Sequence, residues 1–264
     1  MIQIYPINRT FPGKPLKGKE KYAKLYHYTS FDTFIKIWLS KKLKFGDLKN
    51  VNDISEAKRT ISARSLSQAN LLKYVDKEIF TYKQISLTMD YDSYKKGCMS
   101  SFMWGHYGDK RRGICIELDF EKLGFENSML YGQVQYKKFL KESYKIPLTL
   151  SNKEEVSKYV IKNKKEIFFT KLYDWKGENE FRIISKKNEY LDINDSITSI
   201  YIADYDSNEC LLIEELVKSS VEVKEFHFSS SNGYKVPNIR NAKVFRDLVN
   251  QGRNDPNNAL NQFS

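Results

Sequence analysis

At 264 residues the chain can bury a large core, as one large domain or two small ones. With 41% hydrophobic and 29% charged residues it reads as globular and not disordered, and no apolar run comes near the roughly twenty residues a membrane-spanning helix needs. A net charge of +11 attracts polyanions, of which nucleic acid is the commonest, although a lysine-rich solvated surface accounts for the same excess.

Residues 1–24 form a basic arm broken by Pro6, Pro12, Gly13, Pro15 and Gly18. The arm has no apolar core of a signal peptide, and Cys98, Cys115 and Cys210 are too far apart for a disulfide framework or a zinc site. A cytoplasmic location without membrane association or bound metal is the expectation. Leu25-Tyr-His-Tyr-Thr-Ser30 reads as a short buried strand. A helix over Phe31–Ser40 follows it, with Phe31, Phe34, Ile35, Trp38 and Leu39 at helical spacing and Ser30 or Asp32 as cap. His27 thus precedes a helix N-terminus, a place suited to an anion; the plainer alternative is a satisfied core histidine. Leu43, Phe45 and Leu48 suggest a second short strand. Asn52 and Asp53 are turn formers and caps, and they can also orient a ligand from the loop beside His27.

One or two helices are expected over 54–77 and a strand over Ile79–Met89, with Ile85 and Leu87 on one face and Ser86 and Thr88 on the other. Met103, Trp104, His106 and Tyr107 fall in one compact turn or short helix bounded by Gly105, Gly108 and Gly113. Aromatic rings beside a histidine suit a stacking wall for a planar ring; a packed corner with His106 capping a helix is the alternative. Ile114–Asp119 alternates as a strand, and Val134 and Tyr136 suggest another. Lys153–Tyr173 reads as one long amphipathic helix. In the strand that follows, Glu178 and Glu180 are two apart and face the same way if extended, and such a carboxylate can hold a sugar hydroxyl, stabilise a cation or act as a general base; a solvent-facing edge with Arg182 as counter-ion is the alternative. A strand over Ile197–Ala203, a helix over Ser207–Ser219, a strand over Val221–Phe228 and a helix near Ala242–Leu248 complete the pattern, before a polar tail from residue 250.

Three stretches together resemble an uncharacterised bacterial family, domain of unknown function 2971. They are Leu25–Ser30 with Asn52-Asp53, Met103-Trp-Gly-His-Tyr-Gly108 leading to Gly113-Ile-Cys-Ile-Glu117, and Trp175 with Glu178-x-Glu-Phe-Arg-Ile183. The likeness runs over roughly residues 25–230. It departs at Ile54, where the family usually carries Pro.

The order strand–His–helix, aromatic element, strand opening with Glu is more distantly similar to the ADP-ribosyltransferase superfamily of His–Tyr–Glu type. That likeness implies an α+β fold with a split mixed or antiparallel β-sheet core and flanking helices, as a single domain over 25–249. It implies NAD as substrate. His27 would hold its ribose, a tyrosine (Tyr107, or Tyr28, Tyr91 or Tyr94) would stack on nicotinamide, and Glu180 would stabilise the cationic transition state. Tyr28, Thr29, Ser30, Asn52, Trp104, His106, Glu178 and Arg182 would complete the NAD site. With the basic charge, this implies transfer to RNA or DNA by a toxin or anti-phage effector, with an antitoxin or chaperone as a further partner. An NAD-cleaving enzyme on the same fold, or a non-catalytic module binding nucleic acid or protein, is the alternative.

Overall fold

The computed structural model describes residues 24–53, 66–138, 150, 152–203, 207–218, 221–231 and 234–254. Much of the basic arm and the tail, and the first half of the helical expectation over 54–77, lie outside the described residues.

In chain order, β1 (Lys24–Thr29) hands over to α1 (Phe31–Ser40) through Ser30, whose Oγ accepts from the Thr33 N–H at 3.4 Å. A left-handed Lys41 (φ 55°) closes α1, its N–H donating to the Ile37 carbonyl at 2.7 Å. β2 (Lys42–Lys44) and β3 (Gly46–Asp47) follow, then α2 (Leu66–Ile79) and β4 (Lys83–Met89). Ile79, expected to open the strand, instead ends α2 as a fully buried core residue. α3 (Ser101–His106), β5 (Ile114–Asp119), β6 (Leu130–Gln133) and β7 (Gln135–Lys137) come next.

The long helix expected over Lys153–Tyr173 is broken. α4 (Lys153–Lys162) stops at Asn163, whose Nδ2 donates to the Tyr159 carbonyl at 2.8 Å and so takes an acceptor of the last turn. α5 (Lys164–Phe168) is a short continuation, and Thr170–Leu172 is a strand, β8. β9 (Glu180–Ser185), β10 (Tyr190–Asp192), β11 (Ile197–Ile202), α6 (Ser207–Val217), β12 (Glu222–Ser231), β13 (Tyr234–Asn241) and α7 (Ala242–Asn254) complete the chain. β6, β10 and β13 have no counterpart among the expected elements, and α7 runs on past the expected end at Leu248.

Two compact units divide the described residues. The first takes those within 42–89 and 123–193. Here β3 pairs with β4, β4 with β9 and β9 with β6, all antiparallel, while β7 and β8 are parallel and β10 joins β2. Its core gathers Val75, Ile79, Tyr82, Val160, Phe168 and Ile184. The second unit takes those within 24–41, 90–122 and 194–254. Its sheet runs β13-β12-β11-β5-β1, with β11 and β12 parallel and the other pairs antiparallel. The protein is therefore α+β with mixed strand pairing. Among the described residues no helix is long and apolar enough to cross a membrane.

Candidate active site

In the first unit the segment Tyr173–Glu178 makes a tight helical turn that ends on Asn179 at φ 46°, ψ 53°. Asparagine tolerates this left-handed backbone better than most residues. It is locked to the end of β4: its side chain donates to the Met89 carbonyl at 3.1 Å, and its own carbonyl accepts from the Met89 N–H at 3.0 Å. The backbone at Glu178–Glu180 is therefore not extended, which corrects the expected shared face of the two carboxylates. They converge by another route, on Lys171 from β8. Its Nζ lies 2.7 Å from Glu178 Oε2 and 3.6 Å from Glu180 Oε2.

Glu180 is the centre of this cluster. Arg182 Nε donates to Oε1 at 2.8 Å and Nη2 to Oε2 at 2.7 Å, while Arg182 Nη1 donates to the Phe168 carbonyl at 2.8 Å. Ser86 Oγ donates to Oε1 at 2.5 Å, and the Glu180 N–H donates to Tyr136 Oη at 2.8 Å. Glu180 and Arg182 are 3% and 1% exposed, so Arg182 is a buried counter-ion and not part of a solvent-facing edge. Ser86 is exposed and is the solvent-side cover of the carboxylate. Burial alone would raise the Glu180 carboxyl. The Arg182 charge and hydrogen bonds, with Lys171 and Ser86, outweigh it and hold the group at about 2, fully ionised. The Trp175 ring lies 4.8 Å from Lys171 Nζ on the same cluster.

The second unit holds His27, Tyr28, Thr29, Ser30, Trp104, His106 and Tyr107; Asn52, Glu178, Glu180 and Arg182 belong to the first. Strand alternation sends Leu25, His27 and Thr29 to one face of β1 and Tyr26 and Tyr28 to the other. The face of Tyr26 and Tyr28 carries Cys98, Met103, Trp104, Cys115, Tyr201 and Phe226, with Tyr107 packed against them. Met103, Trp104 and Tyr107, expected with His106 as a stacking wall, thus pack into this core while His106 is exposed, and His27 lies on the other face of β1.

Trp104 is a core residue with no exposed surface. Its Nε1 donates to the Cys98 carbonyl at 2.8 Å, and its ring meets Tyr28 edge-on at 5.1 Å. Tyr28 Oη donates to the Gly97 carbonyl at 2.6 Å, which commits it to the fold as well. His106 is exposed, stacked on Phe102 at 4.2 Å, with Nδ1 donating to the Phe102 carbonyl at 2.9 Å. Thr29 is buried, Ser30 serves as the cap of α1, and His27 is half-buried opposite Ile116 of β5. Asn52 is exposed.

Three residues that matter here were missed in the sequence. Lys171 was hidden in the expected long helix, and Ser86 carried no signal beyond its place opposite Ile85. Glu117 did leave a trace, as one charge inside an apolar strand. Glu117 is 9% exposed, and its carboxylate accepts from Thr198 Oγ1 at 2.6 Å and Tyr201 Oη at 2.7 Å, with Lys24 Nζ at 3.8 Å.

A cavity of about 610 Å³ opens in the first unit between α2 and α4, lined by Leu71, Tyr74, Lys77, Lys153 and Val156 among others. None of the residues expected to bind NAD lines it. Among the described residues no group of three or more His, Cys, Asp or Glu side chains is placed to hold a metal ion. No curated protein and no solved structure matches the chain. Residues 103–183, which run from α3 through β5 into the Glu180–Arg182 strand, match the family described as protein of unknown function (DUF2971), over a narrower stretch than the likeness read from the sequence.

Proposed function

We propose that the protein is an NAD-dependent ADP-ribosyltransferase that modifies a nucleic acid, RNA or DNA, as a toxin or anti-phage effector. The reading is supported above all by Glu180, an ionised carboxylate fixed at the start of a strand beneath a solvent-exposed hydroxyl. In the reaction the bond between nicotinamide and C1′ of its ribose breaks, and the bonding electrons leave with nicotinamide. Positive charge develops on the ribose and calls for a preplaced anion, which costs no reorganisation if it is already held ionised. A ribose hydroxyl of NAD takes the position of the Ser86 hydroxyl on Oε1. Arg182 and Lys171 keep the carboxylate charged and aimed. An oxygen or nitrogen of the acceptor then bonds to C1′ and loses a proton. His27 holds the ribose from its place ahead of α1. Tyr107 packs on the face of β1 opposite His27 and is not the tyrosine that stacks on nicotinamide beside it.

A second reading is favoured by one specific observation: both Glu180 oxygens already have donors, and two carboxylates meet two cations in one buried cluster. On that reading the cluster is structural and the protein is a binding module. The two separate in one experiment. The purified protein is incubated with adenylate-labelled NAD and, separately, RNA, DNA or protein, and released nicotinamide is measured by chromatography. Label on RNA or DNA that falls at least 100-fold in a folded Glu180→Gln variant is the expected result. No nicotinamide release from the wild type under any of these conditions overturns the enzyme.

A further inference from the structure

Between α3 and β5 the chain makes a turn whose backbone is unusual. Asp109, Lys110 and Arg111 have φ values of 46°, 53° and 79°, three successive non-glycine residues in left-handed conformation. Such residues persist only where the surroundings over-determine them. Here the base of the turn is closed by three hydrogen bonds: Gly108 N–H to the Met103 carbonyl at 3.0 Å, Arg112 N–H to Asp109 at 3.0 Å and Gly113 N–H to Gly108 at 2.8 Å. The base is also pressed into the core of its unit. A Cβ on Gly108 would lie 2.7 Å from the Trp104 ring, and one on Gly113 only 2.2 Å from the Thr29 carbonyl oxygen.

What this rigid base carries is charge. Asp109, Lys110, Arg111 and Arg112 are all exposed, as is His106 one turn before them, and the four-residue turn has a net charge of +2 at neutral pH from three cations and one carboxylate. Thr29 pairs with Ile114 in register, so the turn stands at the end of the sheet where β1 passes through Ser30 into α1. Because the turn is already stiff, its backbone loses little further freedom when the three cations meet a row of phosphates, and only their side chains have to be ordered.

We propose that Lys110, Arg111 and Arg112 form a contact site for the phosphate backbone of nucleic acid. The binding stands on the turn alone; that the bound strand is the acceptor of ADP-ribose rests on the function proposed above. The test uses no NAD, so its failure and the failure of that function are distinguishable. Fluorescein-labelled oligouridylate and oligothymidylate, each of twenty nucleotides, are titrated with the full chain at several salt concentrations and followed by anisotropy.

The triple variant Lys110→Glu, Arg111→Glu, Arg112→Glu is expected to bind both at least tenfold more weakly. Each lost phosphate contact lowers the slope of log K against log salt by roughly 0.7, so the slope should fall by about 2. A charge-matched control, Lys73→Glu, Lys77→Glu, Lys153→Glu, places the same change on the exposed side of the other unit and is expected to keep most of the affinity and slope. Equal losses in the two variants would mean diffuse attraction by net charge and overturn the site. So would tighter binding of polyglutamate than of oligouridylate, which would point to an acidic protein. If the triple variant does not fold, hydrogen exchange of the wild type decides. Slowing on addition of oligouridylate is expected in peptides covering 105–113, and its absence there overturns the proposal.

Discussion

The Glu180 carboxylate accepts from Arg182 on both oxygens and from Ser86 on one, with Lys171 3.6 Å away. Replacing it by glutamine leaves a buried guanidinium short of its counter-charge, and breaking a buried pair in this way costs about 3–5 kcal/mol. Glu180→Gln should therefore lower the urea midpoint as well as abolish nicotinamide release. The same group sets a pH dependence. Its carboxyl is depressed in the fold from an ordinary 4.5 to about 2, so its stabilising contribution is complete above pH 4.5 and is lost as the pH falls through about 2. Urea unfolding at pH 6, 4 and 2.5 should show the gap between wild type and Glu180→Gln closing as acid is added. A gap that stays constant would mean the carboxylate is not held ionised by its neighbours.

At the scale of elements, two short pieces position the surfaces that matter. The Asp109–Arg111 turn stores strain of about 1–2 kcal/mol per left-handed residue, which the packing of Gly108 and Gly113 must offset. Gly113→Ala places a methyl group 2.2 Å from the Thr29 carbonyl, so β1 or the turn has to move. A loss of about 1–3 kcal/mol is expected by thermal denaturation, the usual cost of overpacking. A variant as stable as wild type would show that the turn is not pinned there. The start of α1 is the second piece. Ser30→Ala removes the acceptor of the Thr33 N–H and should cost about 1 kcal/mol, read as a fall in melting temperature.

At the scale of the whole molecule, His27 and Glu180 belong to different compact units. Much of what lies within each unit was already written in the chain. β1, α1 and β5 follow from local alternation, helical spacing and a capping serine, all properties of neighbouring residues. The same locality explains the failures. Nothing near Asn163 says that its amide takes a helical carbonyl and ends α4, and nothing near Lys171 says that two glutamates seven and nine positions on will neutralise it. The faces of β1 were legible, but what lies on them was not. Tyr28 meets Trp104 because packing over seventy-six positions brings them together, and that leaves His27 facing the other way. Residue type and spacing determined the α+β elements, the basic charge and the Glu180–Arg182 pairing; burial, charge neutralisation and strand facing are long-range properties, and only the tertiary structure decided them.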